Sequence, residues 1–108
     1  MIQKRRALYL TPDGRAPFED WLNILRDRAT RIRIAMRINR AAVGNFGDHR
    51  SVRGGIIELR VHFGPGYRAY IGLHGHEILV LLCGGDKSTQ DDDISRAHIY
   101  WEDFRSRL

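Results

Sequence analysis

The sequence predicts an α+β domain in which helices pack against an antiparallel sheet. Three strand-like segments follow one another between residues 56 and 83, separated only by short turns. A short strand and two amphipathic helical segments precede this region and one helix follows it, so the later strands are linked as hairpins. The predicted order of elements is β-α-α-β-β-β-α. A chain of 108 residues is the usual size of one domain, which we expect to span residues 1–108.

The first two of the three strand-like segments form a predicted β-hairpin. Apolar residues occupy every second position in residues 57–63 and again in residues 67–73, which is the period of a strand with one buried face. Gly64-Pro65-Gly66 separates the two segments and predicts a tight turn. The apolar face of this hairpin must contact a hydrophobic core, and the other face carries polar side chains.

The length of the turn sets which residues of the hairpin face each other. If residues 64–66 form the whole loop, Arg60 lies opposite Tyr70 and His62 lies opposite Arg68. A polar strand face is usually solvated, but two arginines on one face carry like charges and indicate an anionic ligand nearby. The predicted polar face carries Glu58, Arg60, His62, Arg68 and Tyr70.

The third strand-like segment leads into a predicted helix. Residues 78–83 are continuously apolar, as in a strand that is covered on both faces. Ser88 or Thr89 is the predicted N-cap of the following helix, with Lys87 just beyond the strand. The aspartates at 91–93 then lie in the first helical turn, where negative charge complements the helix dipole. We interpret them as a helix start and not as a metal site.

The N-terminal part of the chain predicts one strand and two helices. Residues 4–10 form a short strand, and a helix begins near Pro17, which suits the first helical position. A second helix, capped by Thr30, runs to about residue 43, and a polar, glycine-rich loop occupies residues 44–55. Arginines recur at helical spacing on one face of the second helix. Such a face is usually solvated, and nucleic-acid contact is the alternative. These arginines are Arg33, Arg37 and Arg40.

Arginine dominates the charge of the chain. The formal net charge is +5, from 18 basic and 13 acidic residues. All basic residues except Lys4 and Lys87 are arginines, whose planar guanidinium groups match the geometry of phosphate. This composition keeps nucleic acids and acidic proteins among the expected partners.

Several features bear on compartment and metal binding. No stretch approaches the roughly 20 apolar residues of a membrane span, and the first six residues lack the apolar core of a signal peptide. The single cysteine, Cys83, cannot form an internal disulfide and lies in an apolar segment, so we predict a buried core residue. We therefore expect a cytoplasmic protein.

His74 and His76 lie on a tight turn without other obvious ligands, so we expect no metal site.

Several short motifs of the chain match one family of bacterial proteins. The motif residues are Glu58-Leu59-Arg60, Gly64-Pro65-Gly66-Tyr67-Arg68-Ala69-Tyr70, Gly84-Gly85-Asp86-Lys87-Ser88-Thr89-Gln90, Asp93-Ile94 and Ala97. With these motifs the chain resembles the RelE/ParE superfamily of toxins from bacterial type II toxin–antitoxin modules. Within that superfamily it looks most like the HigB-like branch, also described as phage-derived Gp49-like or addiction-module killer proteins. The similarity covers nearly the whole chain, and the fold of the family has the order of strands and helices predicted above.

The resemblance implies a toxin that halts growth until a co-expressed antitoxin neutralises it. In the HigB-like branch that antitoxin is commonly a helix-turn-helix DNA-binding protein. The usual activity is ribosome-dependent cleavage of mRNA, in which the 2′-hydroxyl of one nucleotide attacks the adjacent phosphate without a metal or cofactor. The implied partners are the antitoxin, the ribosome and mRNA. Two other functions stay open: a ParE-like toxin that binds DNA gyrase without cleaving RNA, and a protein that only binds an antitoxin.

The resemblance also implies which residues form the site. Arg60, Arg68 and Lys87 match the basic active-site positions of the family, where they stabilise charge on the phosphate. The C-terminal tyrosine proposed as a proton donor in RelE proper has no match here, because its position falls in residues 91–93. His62 is our candidate for proton transfer, since histidine titrates near neutral pH. Further contacts with RNA are expected from Arg50, Arg53, Tyr70 and Gln90.

Overall fold

The protein has a central sheet with helices on both faces. The computed structural model describes residues 3–108, and its elements in chain order are β1 (Arg5–Leu8), α1 (Pro17–Ile24), α2 (Arg28–Ala42), β2 (His49–Ser51), β3 (Ile56–Val61), β4 (Tyr67–His74), β5 (Ile78–Asp86), a short 3-10 helix (Lys87–Thr89) and α3 (Gln90–Ser106). Within these residues the strands form a five-stranded sheet in the order β1-β5-β4-β3-β2. None of the helices described is long and apolar enough to cross a membrane. The predicted α+β class, with helices packed on a sheet in one small domain, is confirmed.

The sheet differs from the predicted antiparallel sheet in two respects. β1 pairs with β5 in parallel, whereas the other neighbouring strands pair antiparallel. β2 is an additional strand within residues 44–55, which the sequence predicts as a loop. Its three residues are all exposed, so it lacks the apolar alternation by which a strand is recognised. The direction of β1 has no local signal either, because its partner lies far along the chain.

The hairpin of β3 and β4 is shifted by two residues from the predicted register. Arg60 lies opposite Arg68, and Glu58 lies opposite Tyr70, so the predicted pairing of Arg60 with Tyr70 is wrong. The connecting loop spans residues 62–66. Its two glycines adopt left-handed backbone conformations, which let the chain reverse over a wider turn than predicted. Because the shift is two residues, each strand residue keeps its predicted face.

The helices α1 and α2 cover one face of the sheet. Ile34 and Ile38 of α2 contact buried aliphatic side chains of β3, β4 and β5 there. Trp21 of α1 lies directly over Gly84 of β5, where an added Cβ would come within 2.2 Å of its ring. Trp21 therefore anchors α1 in this core.

The starts of the two N-terminal helices agree with the sequence to different degrees. α1 begins at Pro17, as predicted. α2 is capped by Asp27, whose carboxylate accepts a hydrogen bond from the N–H of Ala29 at 3.3 Å. Thr30, the predicted cap, is buried in the first turn and donates its hydroxyl to Asp27 at 2.8 Å. Aspartate and threonine both cap helices well. The sequence therefore contains two candidate N-caps close together, and the predicted one, Thr30, is wrong.

The helix α3 covers the other face of the sheet. Trp101 packs across Gly72 of β4, where an added Cβ would lie 2.4 Å from its ring, and its indole N–H donates to the carbonyl of Gly54 at 2.8 Å. The polar face predicted for the hairpin is therefore not simply solvated, because Glu58 and Tyr70 are completely buried there. Alternation reports the polarity of a strand face. It does not report whether water or a helix covers that face.

The connection from β5 to α3 confirms most of the predicted helix start. Asp86 caps the 3-10 helix by accepting a hydrogen bond from the N–H of Ser88 at 2.8 Å. Thr89 directly precedes α3, as predicted, although its side chain makes no capping bond. The aspartates at 91–93 occupy the first turn of α3. Their predicted place at the positive end of the helix dipole is confirmed.

The single cysteine belongs to the core on the α3 side. Cys83 is buried in β5. Burial raises the pKa of its thiol to about 12, so the thiol stays protonated at neutral pH and is a poor nucleophile. The predicted burial of this residue is confirmed.

Replacing Gly72 with alanine should destabilise the fold, because the new methyl group collides with the indole of Trp101. We expect the free energy of unfolding to fall by about 2 kcal/mol, a typical cost of overpacking a core, as measured by urea denaturation. In a Trp101→Leu background the same substitution should cost much less, since the ring is absent. An equal cost in both backgrounds would show that the collision is not the cause.

Candidate functional site

The side chain of Glu58 is the centre of the candidate site. It lies on the α3 side of β3 and is completely buried. Its Oε2 atom accepts hydrogen bonds from the hydroxyl of Tyr70 in β4 and from the side-chain amide of Gln90 in α3, both at 3.0 Å. A buried carboxylate is costly unless it is hydrogen-bonded and paired with positive charge. The neighbouring strands and α3 therefore have to supply its partners.

Three arginines surround the second carboxylate oxygen of Glu58. The Nε atoms of Arg50 and Arg68 lie 3.5 Å from Oε1, and the Nε atom of Arg60 lies 3.4 Å from it. The register of β2, β3 and β4 places Arg50 opposite Glu58 and Arg60 opposite Arg68. We refer to these four residues as the arginine cluster. Three positive charges around one negative charge leave a surplus of positive charge.

Glu58 is ionised in spite of its burial. Burial alone raises the pKa of this carboxyl. Hydrogen bonds from Gln90 and Tyr70, and then the charges of Arg50 and Arg68, outweigh burial, so the pKa lies below its usual value. Burial, followed by the charge of Glu58, raises the pKa of the Tyr70 hydroxyl far above its usual value. The hydroxyl therefore stays protonated and keeps its hydrogen bond to the carboxylate.

Arg68 has hydrogen-bonding capacity that its neighbours do not use. Its side chain is 12% exposed, and its Nε and Nη1 atoms are buried without a hydrogen-bond partner in residues 3–108. The 3.5 Å distance from Nε to Oε1 of Glu58 brings opposite charges together but lacks the geometry of a hydrogen bond. Buried donors are nearly always satisfied in folded proteins. These two N–H groups have almost no accessible surface, so the surplus positive charge of the cluster, and not these donors, indicates an anionic ligand.

Lys87 lies at the same end of the hairpin as Arg60 and Arg68. It is an exposed residue at the start of the 3-10 helix. Its aliphatic stem passes close to Gly66 in the β3–β4 loop, where an added Cβ would lie 3.1 Å from Cε. The register of β4 and β5 pairs Arg68 with Gly85, two positions before Lys87. The fold thus brings the three basic residues of the predicted site to one end of the sheet.

His62 is connected to the arginine cluster through Asp48. It lies in the β3–β4 loop and not opposite Arg68 as predicted, and its side chain is 73% exposed. Its Nε2 atom forms a hydrogen bond with Oδ2 of Asp48, whose Oδ1 atom lies 3.6 Å from Nη1 of Arg60. This hydrogen bond, with the charge of Arg60, holds the pKa of Asp48 below its usual value. When Nε2 donates to Asp48, Nδ1 keeps the lone pair of the ring and can accept a proton.

Arg37 holds the loop that carries Asp48. It belongs to the arginine stripe that the sequence predicts as a solvated face of α2, but its side chain is buried. Its Nε donates to the carbonyl of Arg60 at 3.1 Å, and its Nη2 donates to the carbonyls of Phe46 and, at 2.9 Å, of Asp48. Burial, followed by the charge of Arg40, lowers the pKa of Arg37. The solvated-face prediction is therefore wrong for Arg37, which ties α2 to β3 and to the loop before β2.

The other residues expected to contact RNA have different positions. Arg50 belongs to the arginine cluster, and its side chain is 47% exposed. Tyr70 has no exposed surface to offer RNA and holds Glu58 instead, as Gln90 also does. Arg53 lies in the β2–β3 turn, at the other end of β3 from the Arg60–Arg68 pair, with a left-handed φ of 74°. Within the part of the chain that is described, no three His, Cys, Asp or Glu side chains are arranged to hold a metal ion.

The chain has a relative in Haemophilus influenzae. That relative, named only as an uncharacterized protein, is 48% identical over 82 residues, which cover 76% of this chain and 83% of the relative. The chain belongs to the same family as this Haemophilus influenzae protein. No family model matches the chain. Since the name of the Haemophilus influenzae relative states no activity, the chemistry of the arginine cluster is the basis for inferring a function.

Replacing Glu58 with glutamine should destabilise the protein strongly at neutral pH. The substitution removes the one negative charge that three arginines share, and breaking a buried ion pair typically costs about 3–5 kcal/mol. Urea denaturation should show a loss of that order. The same change at Glu102, which is exposed on α3, is the matched control and should have little effect. Equal effects of the two substitutions would show that the charge of Glu58 does not hold the cluster.

The stability difference between the two proteins should also depend on pH. Because the pKa of Glu58 is lowered by folding, its contribution is complete above the ordinary value of 4.5 and is lost as pH falls through the folded-state pKa. The difference between wild type and Glu58→Gln should therefore shrink when denaturation is repeated below pH 4.5. Asp93 acts in the opposite direction, because burial raises its pKa, but it is common to both proteins and cancels. A difference that is constant with pH would contradict the lowered pKa.

Proposed function

We propose that this protein is the toxin of a bacterial type II toxin–antitoxin module, an endoribonuclease of the HigB-like branch of the RelE/ParE superfamily that cleaves mRNA on the ribosome. The observation that carries the proposal is the surplus positive charge of the arginine cluster, in which Arg50, Arg60 and Arg68 surround the single carboxylate of Glu58. A phosphate group supplies the acceptor oxygens and the negative charge that this arrangement lacks. The motif residues around Arg60, Arg68 and Lys87 support the same proposal.

The proposed reaction depends on positioned positive charge. The 2′-oxygen of one nucleotide forms a bond to the adjacent phosphorus while the bond to the 5′-oxygen breaks, which leaves a 2′,3′-cyclic phosphate. Negative charge grows on the non-bridging oxygens, where Arg60, Arg68 and Lys87 bind. Arginine stays protonated at any working pH, so these arginines stabilise charge and do not transfer protons.

Proton transfer in this mechanism falls to His62. Its Nδ1 accepts the proton of the 2′-hydroxyl, and the leaving 5′-oxygen takes up a proton from solvent. Asp48 fixes the opposite ring nitrogen and stabilises the imidazolium that forms, which is how a carboxylate commonly orients a catalytic histidine. Asp48 is therefore a positioning residue, joined to the phosphate-binding part of the site through Arg60.

Glu58 keeps the arginines in place and does not act as a base. Without it, Arg50, Arg60 and Arg68 would repel one another. With a single carboxylate between them, their guanidinium groups are held before the substrate arrives and still carry a surplus of charge for phosphate. Since Glu58 is ionised, buried and hydrogen-bonded on both the β4 and α3 sides, it has no free route to a substrate proton.

The proposal also assigns partners and a location. The substrate is mRNA on the ribosome, so the protein works in the cytoplasm. Its regulator is a cognate antitoxin of the helix-turn-helix type, as in the branch that the motifs resemble. No metal ion or cofactor enters the proposed reaction.

Expression without the antitoxin should arrest growth and yield mRNA that is cut within translated regions, as detected by primer extension. Arg68→Ala should lower the cleavage rate on programmed ribosomes by about 100-fold to 1000-fold, the usual loss for one preorganised donor. Arg68→Lys should also cleave mRNA slowly, because an ammonium group cannot make the two-pronged contact of a guanidinium with phosphate. Arg105→Ala, near the exposed end of α3, is the matched control and should cleave like the wild type.

Circular dichroism of each variant separates loss of activity from loss of fold. A folded and fully active Arg68→Ala variant would remove Arg68 from the site. Intact transcripts together with an induced DNA-damage response would favour a gyrase-directed toxin. If expression of the protein does not slow growth, antitoxin binding is the remaining role.

The role of His62 is tested by the pH dependence of cleavage. His62→Gln should lower the rate and remove its dependence on pH near neutrality, because glutamine cannot accept a proton. Asp48→Asn keeps the histidine but removes the carboxylate that orients its ring, so the cleavage rate should also fall. Rates and profiles like those of the wild type in both variants would make the pair an ordinary surface contact.

A further inference from the structure

A groove runs along the exposed face of α2 and opens onto the candidate site. Its volume is about 800 Å³, and it lies between α2 and the end of β3 together with the loop that follows. Asp48, Arg60 and His62, which belong to the candidate site, also line this groove. The groove is therefore continuous with the place where the phosphate of a substrate is expected.

Two arginines of α2 in the groove lack an acidic partner. Arg33 and Arg40 are exposed and line the groove. In residues 3–108, neither takes part in a salt bridge. Asp48 is the one acidic residue that lines the groove within this part of the chain, and it is already engaged by His62 and Arg60. The two guanidinium groups of α2 are therefore available to further anions.

Flat and apolar surface lies between these charges. Met36, which is 50% exposed, lies between Arg33 and Arg40 on the same side of α2. The guanidinium of Arg33 lies 4.3 Å from the centre of the Phe63 ring, a cation–π contact. Guanidinium groups and aromatic rings are the surfaces on which proteins stack nucleobases. Such surfaces, combined with positive charge for the backbone, are typical of grooves that bind single-stranded nucleic acid.

We propose that this groove binds single-stranded RNA. A base packs against Met36 and the guanidinium of Arg33, and backbone phosphates bind Arg33 and Arg40. These two arginines are two helical turns apart, about 10 Å along the axis of α2, so they reach the backbone on both sides of the base. The groove thereby extends the basic surface formed by Lys87, Arg68 and Arg60.

The direction of the bound RNA follows from the position of His62, and this step rests on the proposed function. In the proposed reaction His62 accepts a proton from the attacking 2′-hydroxyl, which belongs to the nucleotide on the 5′ side of the cleaved bond. His62 lines the groove, whereas Lys87 lies at the connection from β5 to α3. The groove therefore holds the part of the mRNA that precedes the cleaved bond, and the part that follows it leaves on the side of Lys87.

RNA fits this groove better than an acidic peptide does. Carboxylates can pair with the two arginines, but an RNA chain whose phosphate is bound at Arg60 must also continue past it. The groove is the adjacent surface and shares Arg60 with the site. Its charges and its flat surfaces match the two parts of each nucleotide, because phosphates bind arginine and base faces stack.

Fluorescence anisotropy with a labelled RNA tests the binding. The RNA is about eight nucleotides long, within the usual site size for single strands, and carries 2′-O-methyl groups throughout so that it cannot be cleaved. A glutamate-rich peptide is the comparison probe. The full chain is used as wild type and as the double variant Arg33→Ala/Arg40→Ala. The matched control, Arg5→Ala/Arg105→Ala, removes the same charge from exposed positions of β1 and α3.

We expect the double variant of the groove to bind this RNA at least about ten-fold more weakly than the wild type. The slope of log K against log salt concentration should become less steep by about 1.4, because each phosphate contact of a single strand contributes about 0.7. The control double variant should keep the slope of the wild type. Circular dichroism of each variant shows whether the fold is kept.

The apolar surface of the groove is tested by Met36→Glu. This substitution places a negative charge where the base is expected to pack, so it should weaken RNA binding by about ten-fold or more. Ile99→Glu is the matched control, since Ile99 is an exposed apolar residue of α3, 65% accessible, and the change in charge is identical. The control should bind RNA almost as the wild type does.

Cross-linking on programmed ribosomes tests the direction of the RNA. A photoreactive thiouridine is placed in the mRNA on either the 5′ side or the 3′ side of the cleaved bond, and the linked residues are mapped by mass spectrometry. The 5′ probe should link to residues of the groove, and the 3′ probe should not. Links from the groove to ribosomal RNA alone, or to the 3′ probe alone, would overturn the assignment to the 5′ segment of mRNA.

Three results of the binding experiment would overturn the RNA site itself. The first is no binding of RNA by the wild type, and the second is an unchanged affinity and salt slope in both groove variants. The third is binding of the acidic peptide that depends on the groove variants while RNA binding does not, which makes the groove a protein surface. Because this RNA cannot be cut, a protein without nuclease activity can still pass the test. An active nuclease whose groove variants bind RNA like the wild type refutes the groove alone.

Discussion

The buried negative charge of Glu58 is the constraint on which the rest of this structure depends. A carboxylate without water must find its hydrogen bonds and counter-charges in the protein, and here they come from β2, β4 and α3 as well as from β3 itself. Each of these elements has to be in place before the charge is satisfied. The arginine cluster is thus a shared product of the strand register and of the position of α3, and no single segment contains it.

The position of α3 depends in turn on two glycines of the sheet, where the helix packs against bare backbone. Asp93 fits against Gly85, where an added Cβ would lie 1.8 Å from its carboxylate, and Trp101 fits against Gly72. These contacts bring the helix axis close enough to the sheet for Gln90 to reach Glu58. Aromatic and acidic groups that pack onto bare backbone set a separation that a larger residue would increase.

The sequence was sufficient for those parts of the fold that have a local periodicity. The two-residue period identified the faces of β3 and β4, and the start of α1 at Pro17 and the acidic first turn of α3 are confirmed. For the candidate site, the period placed Arg60 and Arg68 on one face before any register was known. These features are visible in sequence because each is set by residues within one or two turns or strands of one another.

Features set by distant contacts could not be predicted in the same way. The hairpin register depends on how far the glycines of residues 62–66 open the turn, and this choice moved His62 out of the strand. Asp48 lies in a polar loop, and nothing in the local sequence distinguishes it from other loop aspartates. Its position beside the arginine cluster depends on Arg37, which donates hydrogen bonds to the carbonyl groups of that loop. The available signal for the burial of Arg37 was its spacing. Arg37 follows Ile34 by three residues and so lies at the border of the apolar face of α2.

The parallel pairing of β1 with β5 has a consequence for how the protein is made. β1 is synthesised early, but its hydrogen-bonding partner is the strand from Ile78 to Asp86, and Tyr9, just beyond β1, donates its hydroxyl to Asp103 of α3 at 2.7 Å. Chains emerge from the ribosome with the N-terminus first, and non-local pairings form only after the intervening chain has closed its loop. The first strand therefore has no partner in the sheet until β5 has been synthesised. Gln90 follows β5 closely in the chain, so the sheet and its charged cluster are completed at the same late stage.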